Sequence, residues 1–300
     1  DSDGSSTTTA LYVFDTLSLT DSLKFNLGLR ADNYKVKTKA GALVTGGVGA
    51  NVTKPSIAGY KVGDVVISEL EDDDTLLSWN AGLVFKPAAN GSIYVAFADA
   101  QTPPAGANFV LSATAGNQAN AELDPQQTTT AELGTKWELL NKRLNVSAAI
   151  YRTENDKQAS VDAVTGVANQ EGKTRVDGIE LAAVGQLTNF WQITAAIGFM
   201  DSEQLGQSSK NSTTGVITTS DGVRWTPDVT ASVWTSYTLE KFTFGGGARY
   251  VGEQKRVVTT NTNLATENMP VIPAYTVADV MAAYKVNKNT NLRLNVYNVF

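Results

Sequence analysis

Strict period-two alternation within residues 123–156 constrains the fold of this chain more than any other feature. One side of the first half of this stretch is apolar, with Leu133 and Trp137, and the other side is charged, with Glu132 and Lys136. The second half repeats the alternation after a short polar turn. Because the side chains of a β-strand point alternately to opposite faces, the stretch predicts two long antiparallel strands with one apolar and one polar face.

The same hairpin pattern recurs along the whole chain. We expect about twelve strands, joined alternately by very short turns and by long polar loops. The long loops are predicted at residues 38–74, 102–125, 161–172, 202–224 and 252–273. Short turns on one side and long loops on the other are typical of outer-membrane barrels, whose apolar face contacts lipid. The sequence therefore predicts an all-β, antiparallel transmembrane β-barrel in the bacterial outer membrane.

Aromatic and charged residues fit this prediction. Aromatic side chains beside the short turns are expected to form a girdle at the membrane interface: they are Phe85, Trp137, Phe190, Trp191, Tyr237, Phe242 and Tyr284. Residues expected to contact lipid are Leu77, Trp79, Ala81, Leu83 and Phe85. Charges of both signs are predicted to face the lumen, at Arg30, Glu132, Lys136, Glu180, Arg249, Asp279 and Arg293. Charges are costly in a dry core, but in a hydrated lumen they can pair with one another or with a plug.

Composition excludes several classes of function. The 300 residues contain no Cys and no His, which excludes disulfides, thiolate metal sites and a His-activated nucleophile within this chain. A net charge of -6 argues against nucleic acid as a partner. No run of 18 apolar residues exists, so a transmembrane helix is not expected. We therefore expect neither an enzyme nor a resident metal or cofactor.

Two short motifs resemble functional sites only superficially. The acidic run at residues 71–74 lacks the glycine that an EF-hand loop needs, and we interpret it as a solvated part of the longest loop. Three consecutive glycines at 245–247 are not followed by the Lys-Ser/Thr of a phosphate-binding loop. They lie in a predicted strand, where glycine is expected to allow the close approach of a plug or a sharp bend.

Several segments carry a resemblance to a known family. The segments 94–109 (YVAFADAQTPPAGANF), 123–156 and 175–203 (RVDGIELAAVGQLTNFWQITAAIGFMDSE) resemble TonB-dependent outer-membrane receptors. The last nine residues, LRLNVYNVF, resemble the penultimate strand of that family. Within the family, the TPP, LDPQ and ELGTKW sequences are most similar to the catecholate siderophore receptor group. The resemblance covers essentially the whole chain.

This resemblance implies a 22-stranded barrel with a plugged lumen, which imports a ferric siderophore of the catecholate type with energy from the TonB–ExbB–ExbD system. Iron is then part of the ligand, and outer-membrane lipid and lipopolysaccharide are further partners. No plug and no TonB-box-like segment is visible in this sequence. We therefore expect residues 1–300 to be a partial barrel, about strands 10 to 21 of the 22. The plug and the energy-coupling segment would precede it, and one strand would follow Phe300.

Two alternatives remain open. The alternation that ends at Phe300 also suits the closing strand of a complete barrel of about twelve strands, which would act as a passive channel. A soluble all-β binding domain would instead bury the apolar face in a protein core.

A ferric catecholate is anionic and carries flat aromatic rings, so its receptor is expected to offer cations and aromatic faces at the extracellular mouth. The candidates lie where strands meet long loops: Arg152, Lys157, Arg175, Arg224, Trp225, Tyr250, Lys255 and Arg256. Because they come from adjacent strand ends, we expect them to converge on one vestibule. Arg224 beside Trp225, and Lys255 with Arg256 beyond Tyr250, are the preferred pairs. Alternatively, each is a surface charge that contacts lipopolysaccharide phosphate.

Overall fold

The computed structural model describes residues 2–46, 55–103, 110–113, 115–117, 119–162, 165–206, 208–210, 217–219, 221–256 and 270–300. Its strands are β1 (Ser2–Ser18), β2 (Leu23–Leu43), β3 (Val65–Ala88), β4 (Gly91–Thr102), β5 (Gln126–Leu139), β6 (Leu144–Val161), β7 (Ala168–Gln186), β8 (Trp191–Leu205), β9 (Ser208–Lys210), β10 (Ile217–Thr219), β11 (Val229–Leu239), β12 (Phe242–Val251), β13 (Gln254–Lys255), β14 (Val271–Ile272), β15 (Tyr275–Lys285) and β16 (Asn291–Val296). Within these ranges, no helix is long and apolar enough to cross a membrane. Residues 104–109 of the resembling segment 94–109 lie outside the described residues.

Twelve strands form one antiparallel sheet in the order β1-β2-β3-β4-β5-β6-β7-β8-β11-β12-β15-β16. The other four form two small hairpins, β9–β10 and β13–β14. The predicted all-β architecture and strand number are confirmed. The sheet is not closed, because β1 and β16 do not pair with each other and each has only one neighbour in the described part of the chain. The alternative of a closed twelve-stranded barrel therefore does not match this structure.

The connections differ strongly between the two ends of the sheet. At one end, which we call the turn end, lie the six short connections, at residues 19–22, 89–90, 140–143, 187–190, 240–241 and 286–290. At the opposite end, the loop end, the connections between sheet strands run over residues 44–64, 103–125, 162–167, 206–228 and 252–274. The predicted alternation is confirmed, apart from the short connection at 162–167.

The acidic run at residues 71–74 lies inside β3, so its interpretation as part of a solvated loop was wrong. The loop predicted at 38–74 covers only 44–64, because β2 and β3 continue as a paired ladder to Leu43 and Val65. In this extension Lys35 and Lys37 both form ion pairs with Glu71. Cross-strand charge pairs interrupt the apolar face there. A search for apolar periodicity therefore does not detect this part of the two strands.

Other strand limits also shift. The loop predicted at 161–172 shrinks to 162–167, and β8 extends to Leu205. In contrast, β11 begins at Val229 and not at Trp225, which lies in the connection before it. The added residues of β7 and β8 are mainly polar and extend the backbone ladders of these strands.

Residues directly opposite each other in an antiparallel sheet lie on the same face, so the registers assign both faces of all twelve strands. One face, which we call the polar face, carries every charge predicted to point into a lumen: Arg30, Glu132, Lys136, Glu180, Arg249, Asp279 and Arg293. The other, the apolar face, carries Leu77, Trp79, Ala81, Leu83, Phe85, Trp137, Trp191, Tyr237, Phe242 and Tyr284. The predicted division of faces is confirmed.

The apolar face is exposed along much of its length. Leu77 is 62% exposed and Ile150 is 52% exposed. A contiguous apolar surface of this kind is unusual on a soluble protein, and it is the surface that a lipid bilayer would cover. Near the turn end, Phe242 and Tyr284 place their ring centroids 4.7 Å apart, and Trp191 Nε1 donates to Thr235 Oγ1 over 2.7 Å.

Aromatic rings on this sheet lie flat over glycines of the neighbouring strand. The directly opposed pairs are Trp137 with Gly91, Tyr94 with Gly134, Tyr151 with Gly178, and Trp234 with Gly247. A Cβ added to Gly134 would lie 2.4 Å from Tyr94 Oη, and one on Gly247 would lie 2.8 Å from Trp234 Cε3. Gly247 thus has close neighbours within the sheet, the Val233 carbonyl oxygen and the Trp234 indole, and the approach of a plug to the glycines at 245–247 stays a prediction.

Candidate functional site

A network of tyrosines and charges occupies the centre of the polar face. The Tyr94 hydroxyl donates to the Glu132 carboxylate, and Lys136 Nζ lies 5.3 Å from the centroid of the Tyr94 ring. Tyr151 lies directly opposite Glu132 across the β5–β6 ladder. Opposite charges and a cation over a ring stabilise one another in this arrangement.

Two further pairs of opposite charge lie on the polar face. Arg30 Nε and Nη2 each donate to Asp32 over 2.7 Å, and Arg249 Nη2 is 3.5 Å from Asp279 Oδ2. The Asn298 backbone N–H also donates to Asp279, over 2.9 Å. These contacts agree with the prediction that charges of this face pair with one another.

At the loop end, the structure brings two of the predicted segments together. The Trp225 backbone N–H donates to the Lys255 carbonyl over 2.8 Å, which joins the connection before β11 to strand β13. Arg256 follows Lys255, and its N–H donates to the Pro270 carbonyl. The side chains of Arg224, Trp225, Lys255 and Arg256 are all exposed. Lys255 Nζ lies 3.5 Å from Glu253 Oε1. We call these four residues the mouth cluster.

Three predicted site residues lie on the apolar face. Arg152 binds Asp177 through two hydrogen bonds of 2.6 and 2.9 Å. Arg175 donates to Glu203 over 2.6 Å, within β7 and not at its start. Tyr250 lies opposite Ala231 and shares the face of Val233. The expectation that all eight residues converge on one vestibule is therefore wrong for these three, because each shares the strand parity of the apolar residues beside it.

Lys157 occupies an irregular position in β6. Its backbone is left-handed, with φ 56°, and the β6–β7 register shifts between Asn155 and Gln158. Its Nζ lies 3.1 Å from Asp124 Oδ2, in the connection that precedes β5. Lys157 thus ties strand β6 to the connection before β5 and is separate from the mouth cluster.

The sequence analysis named neither Tyr94 nor Tyr151 as a functional-site residue. Their parity on alternating strands was available from the sequence, since Tyr151 alternates with Ile150. Their contacts were not, because these depend on the register between strands. In the described residues, no group of three or more Asp and Glu side chains is arranged to hold a metal ion.

Comparison with known proteins decides the family. Residues 1–299 match the family described as TonB dependent receptor-like, beta-barrel. The chain belongs to the TonB-dependent receptor β-barrel family. Proteins of this family reside in the outer membrane, and the predicted localisation and resemblance are confirmed.

Among relatives of this TonB-dependent receptor chain is the catecholate siderophore receptor Fiu of Escherichia coli K12. It is 33% identical over an alignment of 302 positions, which covers 99% of this chain and 38% of Fiu. The probable TonB-dependent siderophore receptor PiuA of Acinetobacter baumannii is 32% identical over an alignment of 307 positions, which covers 100% of this chain and 37% of PiuA. The crystal structure of the ferric-catecholate import receptor Fiu in its closed form matches with a TM-score of 0.82 and 30% identity, over 99% of this chain and 41% of that chain. The chain thus spans less than half the length of these relatives.

Proposed function

We propose that these residues form part of the barrel of an outer-membrane receptor that imports a ferric siderophore of the catecholate type with TonB-derived energy. The observation that carries the proposal is the match of the whole chain to the receptors Fiu and PiuA, whose names describe siderophore receptors. Transport receptors of this kind are not enzymes, and the proposal includes no resident cofactor, since iron enters only with the ligand.

The open sheet supports a partial barrel. An open edge within lipid leaves backbone N–H and C=O groups without partners, which is costly. The edges of β1 and β16 therefore require strands from another part of the protein. We propose that the twelve strands correspond to about strands 10 to 21 of a 22-stranded barrel. The plug and the segment that contacts the TonB–ExbB–ExbD system would lie outside this chain.

The polar face supports a plugged lumen. Glu132 and Glu180 lie on neighbouring parts of this face, with Tyr94 and Tyr151 beside them. A hydrated lumen tolerates such carboxylates, and a plug that offers cations would bind them. Outer-membrane lipid would cover the apolar face, and lipopolysaccharide would surround its charged loop end.

The mouth cluster is the proposed contact for the ligand. A ferric tris-catecholate carries negative charge and flat aromatic rings, which arginine and tryptophan recognise through ion pairing and stacking. Arg224, Trp225, Lys255 and Arg256 provide these groups on exposed segments that a backbone hydrogen bond holds together.

Uptake of radioactive iron tests the proposed function. The full-length receptor would be produced in a strain that lacks its own catecholate receptors, and uptake of a ferric catecholate would be compared with that of a ferric hydroxamate. We expect catecholate-dependent uptake that disappears when TonB is deleted. Uptake that persists without TonB would indicate a passive channel and would contradict the proposal.

A double substitution tests the ligand site. Replacing Arg224 and Arg256 together by Ala is expected to weaken ferric-catecholate binding and leave barrel assembly intact. The matched control is the Arg152→Ala, Arg175→Ala double variant, which removes two arginines from the apolar face. Wild-type binding in the first variant would refute this site without refuting the family. Equal loss in both variants would show that general charge, and not the mouth cluster, attracts the ligand.

A further inference from the structure

The rim of the sheet at the loop end contains a notch. Strands β2 and β3 are 21 and 24 residues long, and β6 and β7 are 18 and 19 residues long. Between them, β4 and β5 have only 12 and 14 residues. Strand β4 pairs with β3 no further than the Trp79–Asp99 position, so residues 65–78 of β3 pair only with β2. At the loop end, the β2–β3 and β6–β7 hairpins therefore extend beyond β4 and β5 and are separated by a gap.

One end of the β4–β5 connection is anchored to the β2–β3 hairpin. Leu111 is 3% exposed and packs with Tyr34, Val36 and Leu76 in the hydrophobic cluster at this end of the sheet. Its backbone N–H donates to Thr38 Oγ1 over 2.7 Å. Tyr34, Val36, Thr38 and Leu76 belong to the polar face, so the connection crosses that face of β3 to reach β2.

The other end of the connection is anchored to the β6–β7 hairpin. The side chain of Gln170 pairs with the backbone of Asp124 as a strand would, because Asp124 N–H donates to Gln170 Oε1 and Gln170 Nε2 donates to the Asp124 carbonyl, each over 2.8 Å. Gln170 Nε2 also donates to the Lys157 carbonyl. In addition, the Ala168 N–H donates to the Ala115 carbonyl over 2.7 Å.

Between these anchors, the connection has its own order. Ser112 and Asn120 form a β-bridge, and Ser112 N–H donates to the Ala119 carbonyl over 2.9 Å. The side chains of Asn117 and Asn120 accept from the N–H groups of Ala119 and Glu122. Such Asx turns fix the backbone of a loop locally. A Cβ on Gly116 would lie 2.5 Å from the Gly166 carbonyl oxygen, which shows how closely this connection approaches the 162–167 turn.

We propose that the described residues of 110–125 act as a bracket, which closes the notch and joins the β2–β3 and β6–β7 extensions into one rigid wall of the extracellular mouth. Its two anchors use different chemistry, an apolar cluster on one side and amide pairing on the other. Because both hold a single ordered segment, loosening one anchor loosens the other. The bracket holds this part of the rim in a fixed position. A ligand that binds elsewhere at the mouth would therefore face a rigid wall on this side. The inference concerns the wall itself and does not depend on which ligand the receptor imports.

Hydrogen exchange of the full-length receptor tests the coupling between the anchors. Gln170→Ala weakens the second anchor by removing its side-chain hydrogen bonds, and Gln186→Ala, at the turn end of the same strand, is the matched control. We expect peptides covering 110–113 to exchange roughly tenfold faster in Gln170→Ala, as the loss of the Gln170 hydrogen bonds predicts, and at the wild-type rate in Gln186→Ala. Thr38→Val is expected to raise exchange at 115–117 and at Asp124 in the same way.

Two outcomes would overturn the bracket. The first is exchange of residues 110–113 at the rate of an unstructured peptide in the wild-type receptor. The second is a response of each anchor only to its own substitution. A measurement independent of exchange is maleimide labelling of a Leu111→Cys variant, which is expected to be slow alone and fast when combined with Gln170→Ala. Equal labelling in both backgrounds would also contradict the proposal.

Discussion

The two ends of this sheet carry different kinds of side chain on the same strands. Near the turn end, the apolar face carries Trp, Tyr and Phe, and the Trp137 ring lies over Gly91. Near the loop end, the same face carries ion pairs, such as Lys39 with Glu69 and Arg175 with Glu203. A tilted strand needs only about 9–11 residues to span a membrane, whereas β3 has 24. Only part of each strand therefore carries the apolar side chains that contact with lipid requires. The rest of the strand ladder forms a hydrated rim.

The largest expected contrast is between an arginine in each half of β3. Ala81→Arg places a charge on the apolar face among Leu27 and Phe97 and is expected to reduce the free energy of unfolding by about 2–4 kcal/mol near mid-bilayer. Ile67→Arg puts the same residue on the same face at the loop end, where a change within about 0.5 kcal/mol is expected. Denaturant unfolding of the full-length receptor in lipid vesicles measures both. Equal effects of the two substitutions would show that the boundary of the lipid-covered surface does not lie between Ile67 and Ala81.

The glycine–aromatic pairs predict an intermediate effect. Gly134→Ala is expected to destabilise the receptor by about 1–3 kcal/mol, because the added methyl overlaps the Tyr94 ring. Gly198→Ala is the control, since its nearest atom would be Thr230 Oγ1 at 3.6 Å. If the ring is the obstacle, Gly134→Ala adds no cost in a Tyr94→Ala background. A persisting cost would mean that the backbone itself requires glycine there.

At the loop end, Tyr34 predicts a smaller effect with a spectroscopic signature. Its hydroxyl donates to Asp72 Oδ2 over 2.7 Å, so Tyr34→Phe is expected to cost about 0.5–1.5 kcal/mol. Burial, and then the Asp72 carboxylate, raise the pKa of Tyr34. Its contribution to stability is therefore present below the ordinary tyrosine pKa of about 10 and is lost as pH rises through the raised value. Absorbance titration should show one phenol fewer ionising at high pH in the variant.

The smallest effect is expected from the exposed ion pairs. The side-chain hydrogen bonds from Lys35 and Lys37 lower the pKa of Glu71. The stabilisation is consequently present above the ordinary glutamate pKa of about 4.3 and is lost as pH falls through the lowered value. Glu71→Gln should differ slightly from wild type at neutral pH, and the difference should shrink in high salt. A difference that is unchanged by salt and by acid would contradict an electrostatic origin.

The sequence predicted correctly the half of each strand near the turn end, where the apolar side chains lie. Alternation identified the twelve strands and assigned Glu132 and Arg249 to the polar face, because hydrophobic periodicity is strong there. It failed at the loop end, where Glu71 pairs with lysines of β2 and Asp72 accepts from Tyr34, so that the run 71–74 carries no apolar signal. The alternation of side chains in β6 would have been enough to place Arg152 on the apolar face, together with Ile150. The contact between Trp225 and Lys255 was beyond prediction, since it depends on the geometry of two irregular connections.

The free edges of β1 and β16 have a practical consequence for anyone producing this polypeptide. Strand β1 is 17 residues long and leaves one backbone edge without a partner strand among the described residues. Leu11 and Phe14 point to opposite faces and are 80% and 77% exposed. A long, flat edge of this kind recruits further strands indiscriminately. Because we propose that the chain is part of a larger barrel, we expect it to collect in inclusion bodies when expressed alone and to refold only together with the strands that cover both edges.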